Sequence, residues 1–534
     1  MRLLRIALLA GICLALQPIS VASPAGSQPD LYLSPTGSDS GSCTQTAPCA
    51  SMDRAYHLAS PGQTVLLAAG DYPLQFVKPD ASKTADAPVV FTPASGAQVT
   101  VARLDVSASH VEFSNFQADW AVATPANGVT FRNIVANGAI YVTGASNVSV
   151  LGGQIFSPVP VSSDSQIAST KGQVPTNILF DGVAFHDFTD VGPGQLHHIE
   201  CLQVGAAVNL TIRDSKFWNC ATHDIFIRSW GFVNNSPSPL SNIVIENNWF
   251  AKTVGGFYTM QVLDDLWTGD PPTSLTIRNN SALQTILVRL SHGTAVVHGN
   301  LLPAMSKFLC DSYGQSQWFD YNVYSSGVQC GPHDAVGDPK YVDATNFDLH
   351  LQAGSAALGR GDPTSHPPLD IEGKLRPLTM PPDAGASQRE NAAIVLGKAI
   401  GDVTIGESRA AVEQFYGAPR RTSHYPTQRG KAILATYSRY GGKLTILYNP
   451  ENVVIGAGTT STYYSTTSGL GVSVPAQRAV ASLGARWFAC QKAYRRMIGS
   501  VAVYVAGKEK QGSAPIASLW MVQRSFDACG HRPL

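Results

Sequence analysis

The stretches LHHIECLQVG (196–205) and ATHDIFIRSWG (221–231) bring His197, His198, Glu200, Gln203, His223, Asp224 and Arg228 together in a chain in which only 14% of positions are charged. Each residue type has a use. An imidazole titrates near neutrality and exchanges protons without a large pKa shift. A carboxylate is a hard oxygen donor and an acid–base group, and a guanidinium pairs bidentately with a carboxylate. Further on, YTMQVLDD (258–265) offers Gln261, Asp264 and Asp265, TILVRLSHG (285–293) offers Arg289 and His292, and Lys307 and Asp311 follow. This set suits chemistry on an anionic, extended substrate.

Strands must position these groups. Alternation points Leu202 and Val204, then Ile225 and Ile227, inward and turns Gln203 and Arg228 outward. Taking the 25 residues from Gln203 to Arg228 as one rung predicts a strip of Gln203, Arg228, Gln261 and Arg289, roughly 4.8 Å apart. Trp218, Trp230, Trp249, Tyr258 and Trp267 are candidates for stacking on sugar rings, and Gln203, Gln261, Trp230 and Trp267 form the expected binding set.

A nine-residue pattern dictates the architecture: HVEFSNFQA at 110, GVTFRNIVA at 128, NVSVLGGQI at 147, NILFDGVAF at 177, NLTIRDSKF at 209, NIVIENNWF at 242, SLTIRNNSA at 274, TAVVHGNLL at 294 and a degenerate SQWFDYNVY at 316. Its second and fourth residues are apolar in nearly every copy, the period-two sign of a strand with one buried face. The sixth is Asn, Asp or Gly in all but the last, types that tolerate the left-handed conformation of a sharp bend. Spacings are too irregular for propeller blades, and a β-sandwich would want hairpin turns at regular intervals. A right-handed parallel β-helix, an all-β solenoid burying its core rung on rung, fits.

Three stretches give the chain a resemblance to bacterial right-handed β-helix proteins related to pectate lyases. DLYLSPTGSDSGSCTQTAPCASMDRAYHLASPGQTVLLAAGDY (30–72) resembles their opening rung and cap, the repeats resemble the body, and DPKYVDATNFDLHLQAGSAALGRG (338–361) with LDIEGKLRP (369–377) resembles the closing segment. The resemblance implies β-elimination on uronate glycans, an Arg or Lys base and calcium held by carboxylates. Arg228 is then the first candidate base and Arg289 the second, with His198 or His223 able to replace either. Glu200, Asp224, Asp264 and Asp265 become the calcium ligands. The sequence departs from the family in lacking its clear ligand and base signatures, and Ser291-His292-Gly293 only approaches a hydrolase motif. Hydrolysis by Glu200 and Asp224 stays open.

Residues 362–390 are rich in Pro, Asp and Gly and read as a linker. Beyond them charge reverses: residues 391–534 carry 17 Lys+Arg against 6 Asp+Glu, net +11, whereas residues 23–390 carry 18 against 31, net −13. VTIGESRAAVEQFYGAPRR (403–421) and a weaker echo, GLGVSVPAQRAVASLGARW (469–487), predict a tandem α+β module. It loosely resembles small repeated modules of exported bacterial proteins of the outer-membrane lipoprotein and β-lactamase-inhibitor kind. Its charge suits attachment to an anionic glycan.

Residues 1–22, with Arg2 and Arg5 before an apolar run and small residues at Ser20–Ala22, predict a secretory signal. Eight further cysteines suit disulfides in an exported protein. Their expected pairing is sequence-local: Cys43–Cys49, Cys201–Cys220, Cys310–Cys330 and Cys490–Cys529. The expectation is a secreted, monomeric, polysaccharide-active β-helix protein (23–390) with a basic α+β C-terminal domain (391–534), lyase-like, aided by calcium and acting on an acidic polysaccharide or cell-wall glycan. No nucleic-acid partner and no transmembrane segment are expected. The alternative is a non-catalytic extracellular β-helix that binds glycans or proteins.

Overall fold

The computed structural model describes residues 30–83, 87–192, 198–229, 232–233, 236–264, 273–312, 315–378, 380–507 and 514–527. The nine nonapeptides form nine consecutive strands, from Val111–Ser114 to Phe319–Asp320, of one 12-stranded parallel sheet. Their second and fourth residues stack in register. One inner column runs Val129, Val148, Ile178, Leu210, Ile243, Leu275, Ala295, and the other runs Phe131, Val150, Phe180, Ile212, Ile245, Ile277, Val297, Phe319. All are buried. Each rung continues through two more short strands whose parallel stacks close the cylinder, giving the right-handed parallel β-helix.

The sixth residue of every copy bends left-handed: Asn115, Asn133, Gly152, Gly182, Asp214, Asn247, Asn279, Gly299, and also Tyr321, where residue type gave no sign. The following position carries a column of wholly buried asparagines, Asn248, Asn280, Asn300 and Asn322. Each side-chain oxygen accepts the backbone N–H of the equivalent residue one rung earlier, at 2.9–3.0 Å. Each side-chain amide donates to a strand carbonyl at 2.8–2.9 Å. The column ends on Asp334, which accepts from the Asn322 backbone at 2.8 Å.

The first rung is covered by helix Met52–Leu58, capped by Ser51 and burying Met52, Ala55 and Tyr56. Disulfides join Cys43–Cys49, Cys201–Cys220 and Cys310–Cys330. Cys490 is also disulfide-bonded, and its expected partner Cys529 lies outside the described residues, as does the expected signal segment 1–22. Among the described residues no helix is long and apolar enough to cross a membrane.

Residues 362–390, expected as a linker, pack instead against the solenoid. Arg376, wholly buried, donates to the carbonyls of Asp383, Gly385 and Ala386 and to Asn247 Oδ1 at 3.0 Å. Gly385 N–H donates to the Gly299 carbonyl at 2.7 Å. Composition suggested a linker because the segment has no periodicity, but its backbone groups satisfy a buried guanidinium rather than water.

The C-terminal region is an eight-stranded antiparallel sheet with two helices, Arg409–Tyr416 and Ala476–Leu483. Each helix is followed by four strands, and the fourth strands of the two halves, Val454–Thr459 and Ile516–Gln523, pair at the centre. The echo between 403–421 and 469–487 is thus repeated in topology.

Candidate functional site

The third strand of each rung builds the wall that bears the expected residues. Leu202–Val204, Ile225–Arg228, Tyr258–Leu263 and Thr285–Arg289 stack in parallel. Leu202, Val204, Ile225, Ile227, Met260, Val262, Ile286 and Val288 are wholly buried, so the residues between them face outward.

The register corrects the expected strip. Gln203 lies beside Phe226, which lies beside Gln261, whereas Arg228 lies beside Leu263, which lies beside Arg289. Two columns result, offset by two residues or roughly 6.6 Å along the strands. The rung from Gln203 to its neighbour holds 23 residues rather than 25, because the loops between strands vary in length. Arg228 and Arg289 share one column and one face, roughly 9.6 Å apart with Leu263 between them.

Beside these columns the Cys201–Cys220 bridge, with Cα atoms 5.4 Å apart, ties together the segments leading into two strands. Backbone bonds from Thr222 to Ile199 (2.8 Å), Cys201 to His223 (3.2 Å) and Asp224 to Thr259 (2.9 Å) extend the stack there. Side chains from three successive layers therefore meet. Glu200 is wholly buried. Its Oε1 is 2.5 Å from His198 Nδ1, and its Oε2 accepts from Gln203 Nε2 at 3.3 Å. His198 is 56% exposed at its side chain and holds a left-handed backbone at φ 55°. That conformation costs a non-glycine residue on the order of 1 kcal/mol, and such strain gathers at functional sites. His223 Nδ1 is 2.8 Å from the Tyr258 carbonyl, so the proton sits on Nδ1 and Nε2 keeps its lone pair.

Burial pushes the Glu200 carboxyl up to about 7, against the pull of His198 and with Asp164 adding to the rise. The hydrogen bond to Glu200 holds the His198 imidazole above its ordinary value, while burial pushes His223 down. Asp224, fully enclosed and accepting from the Thr259 hydroxyl, is pushed up to about 8 by burial. Near pH 7 the neutral His223 imidazole and the Glu200 carboxyl, poised to take or release a proton, lie in one cluster with His198.

The expected residues divide as follows. His198, Glu200 and His223 come together, with Gln203, Gln261, Arg228 and Arg289 on the adjoining wall. Asp224 is turned into the core. Asp264 caps the turn at Ser291 and His292 by accepting both backbone N–H groups. Trp218 and Trp249 lie on the second strand of their rungs, in a stack separate from the wall, Trp218 stacked on His186 at 4.2 Å and Trp249 under the Lys216 ammonium. Lys307 and Asp311 pair with each other at 2.8 Å on an exposed helix. His197, Trp230, Asp265 and Trp267 lie outside the described residues. Sequence reasoning missed Asp164, whose carboxyl bears on Glu200, and Phe226, whose ring sits 5.7 Å from His198 and 5.9 Å from His223. Asp164 lies outside the dense stretches, and Phe226, though inside one of them, carries no reactive group.

Among the described residues, one group of potential metal ligands stands out: a nitrogen from each of His198 and His223 and an oxygen from Glu200, all within 4.8 Å. Two imidazoles and a carboxylate suit a zinc-like ion better than calcium, which prefers oxygen throughout. The outer N–H of His223 on a backbone carbonyl is also how ligand histidines are commonly oriented.

No family model matches the sequence, and no curated protein matches it. Among solved structures, the chain is similar to pectate lyase Pel9A (13% identity, covering 68% of this chain and 96% of that one, TM-score 0.42). It is similar also to XylC in complex with xylose (9%, 70% and 99%, 0.37) and to PfbA, a surface adhesin of Streptococcus pneumoniae (12%, 50% and 77%, 0.29).

Proposed function

We propose that this protein is an exported, polysaccharide-active enzyme that cleaves uronate-containing glycans by β-elimination on the wall of its solenoid. The observation that carries the reading is the exposed His198 imidazole held by the buried Glu200 carboxylate beside the column of Gln203, Phe226 and Gln261, with the column of Arg228 and Arg289 two residues further along the same strands. An extended chain laid across the rungs meets Gln203 and Gln261 as hydrogen-bonding groups, and Arg228 or Arg289 pairs with a uronate carboxylate. Neutralising that carboxylate acidifies the adjacent C–H. His198 accepts the proton through Nε2, Glu200 stabilises the imidazolium, the C–H electrons form the new C=C bond, and the glycosidic oxygen leaves and is protonated. In this scheme His198 takes the base role first expected of Arg228, since an imidazole needs no large shift to act near neutrality. The disulfides suit folding in an oxidising compartment and hence export.

A second reading is favoured by His223, whose orientation suits a divalent ion shared with His198 and Glu200. Held by these three residues, such an ion would supply the positive charge that neutralises the carboxylate, with Arg228 on the neighbouring column of the same wall.

Pectate, alginate and glycosaminoglycan fragments, assayed for the ultraviolet absorbance of unsaturated ends, test both. The first reading expects product with the native protein, loss in His198→Ala and partial return on adding imidazole. The second expects loss on chelation and return with zinc. Silence in this assay and in reducing-end assays, with glycan binding retained, would replace both by a non-catalytic binding protein.

A further inference from the structure

A cleft of about 620 Å³ lies away from the wall, between the closing segment of the solenoid and the helix Arg409–Tyr416. Three cationic side chains line it: Lys374, Arg389 and Arg439. The guanidinium of Arg389 donates to the Phe415 carbonyl at 3.2 Å and that of Arg439 to the Tyr416 carbonyl at 3.0 Å. Two positive groups are thereby fixed on consecutive carbonyls at the end of one helix, over the rings of Phe415 and Tyr416.

The carboxylates nearby do not fill the cleft. Glu372 is engaged by His350 at 2.5 Å, with Lys374 at 3.5 Å. Glu390 lies wholly buried behind Arg439, 3.9 Å from it, and accepts from the Tyr464 hydroxyl. Asp402 accepts the Asn391 backbone N–H at 2.9 Å. Burial raises the pKa of both Glu390 and Asp402. The lining also includes Ser387, only 1% exposed, whose hydroxyl has no hydrogen-bond partner, and the exposed amide of Gln414. A buried hydroxyl without a partner costs free energy that a ligand atom can offset.

We propose that this cleft binds one acidic sugar unit, its carboxylate held by Lys374, Arg389 and Arg439 and a ring hydroxyl by Ser387. The inference rests on the reading of the glycan as uronate-containing, and it gives the protein a second point of hold outside the cleaving wall. Guanidinium and ammonium groups supply the carboxylate recognition, and the volume accommodates a saccharide unit.

The test uses the full chain and ligand-observed NMR or calorimetry with three probes: D-galacturonate, D-galactose and inorganic phosphate. Galacturonate is expected to bind and galactose not. Lys374→Met, at a half-buried position, and Gln414→Glu, at an exposed one, are each expected to weaken galacturonate binding at least tenfold with melting temperature little changed, while Lys307→Gln on its exposed helix leaves it intact. Equal binding of galactose, tighter binding of phosphate than of galacturonate, or indifference to both cleft variants overturns the proposal. Loss of galacturonate binding in Arg228→Gln alone would assign the sugar to the wall instead. The elimination assay does not depend on this outcome, so either idea can fail without the other.

Discussion

Two buried polar groups in this solenoid are built to opposite ends. Along the asparagine column every amide of Asn248, Asn280, Asn300 and Asn322 is matched by a backbone partner above, below or beside it. At the cluster Glu200 is just as enclosed, yet its carboxyl is pushed up to about 7 and lies 2.5 Å from an exposed imidazole. The column completes the valence of neutral amides and so fixes the rungs against one another. The cluster leaves charge poorly accommodated where substrate can arrive, the pattern expected of a working site.

The largest test of this contrast is catalytic. His198→Ala should lower turnover by roughly 10²–10⁴-fold while costing only about 1 kcal/mol of stability, since Glu200 can take up a proton once its partner is gone, read from product absorbance and denaturant melts of the same preparation. A large stability loss would make the cluster a second structural column. Asn280→Ala should do the reverse, costing about 2–4 kcal/mol because the buried Asn248 N–H and Ile245 C=O of the preceding rung both lose their partner. A melt that does not move would break the comparison from the other side.

Smaller effects sharpen it. Replacing Cys201 and Cys220 together by Ser should cost about 2–3 kcal/mol through the freed loop. It should lower activity more than replacing Cys310 and Cys330, because only the first bridge adjoins Glu200 and His223. Asp214 occupies the left-handed position filled by asparagine in four other copies, and burial pushes its carboxyl up to about 6. The unfolded chain ionises it near 4 while the fold retains its proton until about 6, so stability falls as pH climbs through that window and is level above it. Asp214→Asn should remove that slope and add roughly 1 kcal/mol at neutral pH, seen as a melting temperature that no longer drops between those values. An unchanged slope would show that the carboxyl is not the strained member of its column.

The fold was legible because its signal is local. Two apolar positions and one bend residue repeat within nine residues, and the parallel stacking follows from burying them. Tyr321 escaped notice because its bend is imposed by the rungs before it rather than by its own type. The inner asparagines were visible as letters in NIVIENNWF and SLTIRNNSA, but only the register shows that they align. The site was legible in membership and not in geometry. His198, Glu200 and His223 stand in two dense stretches, yet which residue sits beside Gln203 depends on the length of a rung, 23 residues here and 35 in the next, whose connecting loops carry no period. Asp264 looked like a metal ligand for the same reason: a carboxylate capping a turn reads no differently from one awaiting an ion until its backbone partners are seen.

Arg376 has a consequence for the order of events during synthesis. It reaches Asn247 across 129 positions of chain, so the flank of that rung, the ninth of twelve in the main sheet, stays unsealed until a later stretch emerges. A chain threaded through a membrane from its first residue onward would finish its cylinder before closing it, and a product stopped short of Arg376 would carry an open seam beside the turns that set its rungs.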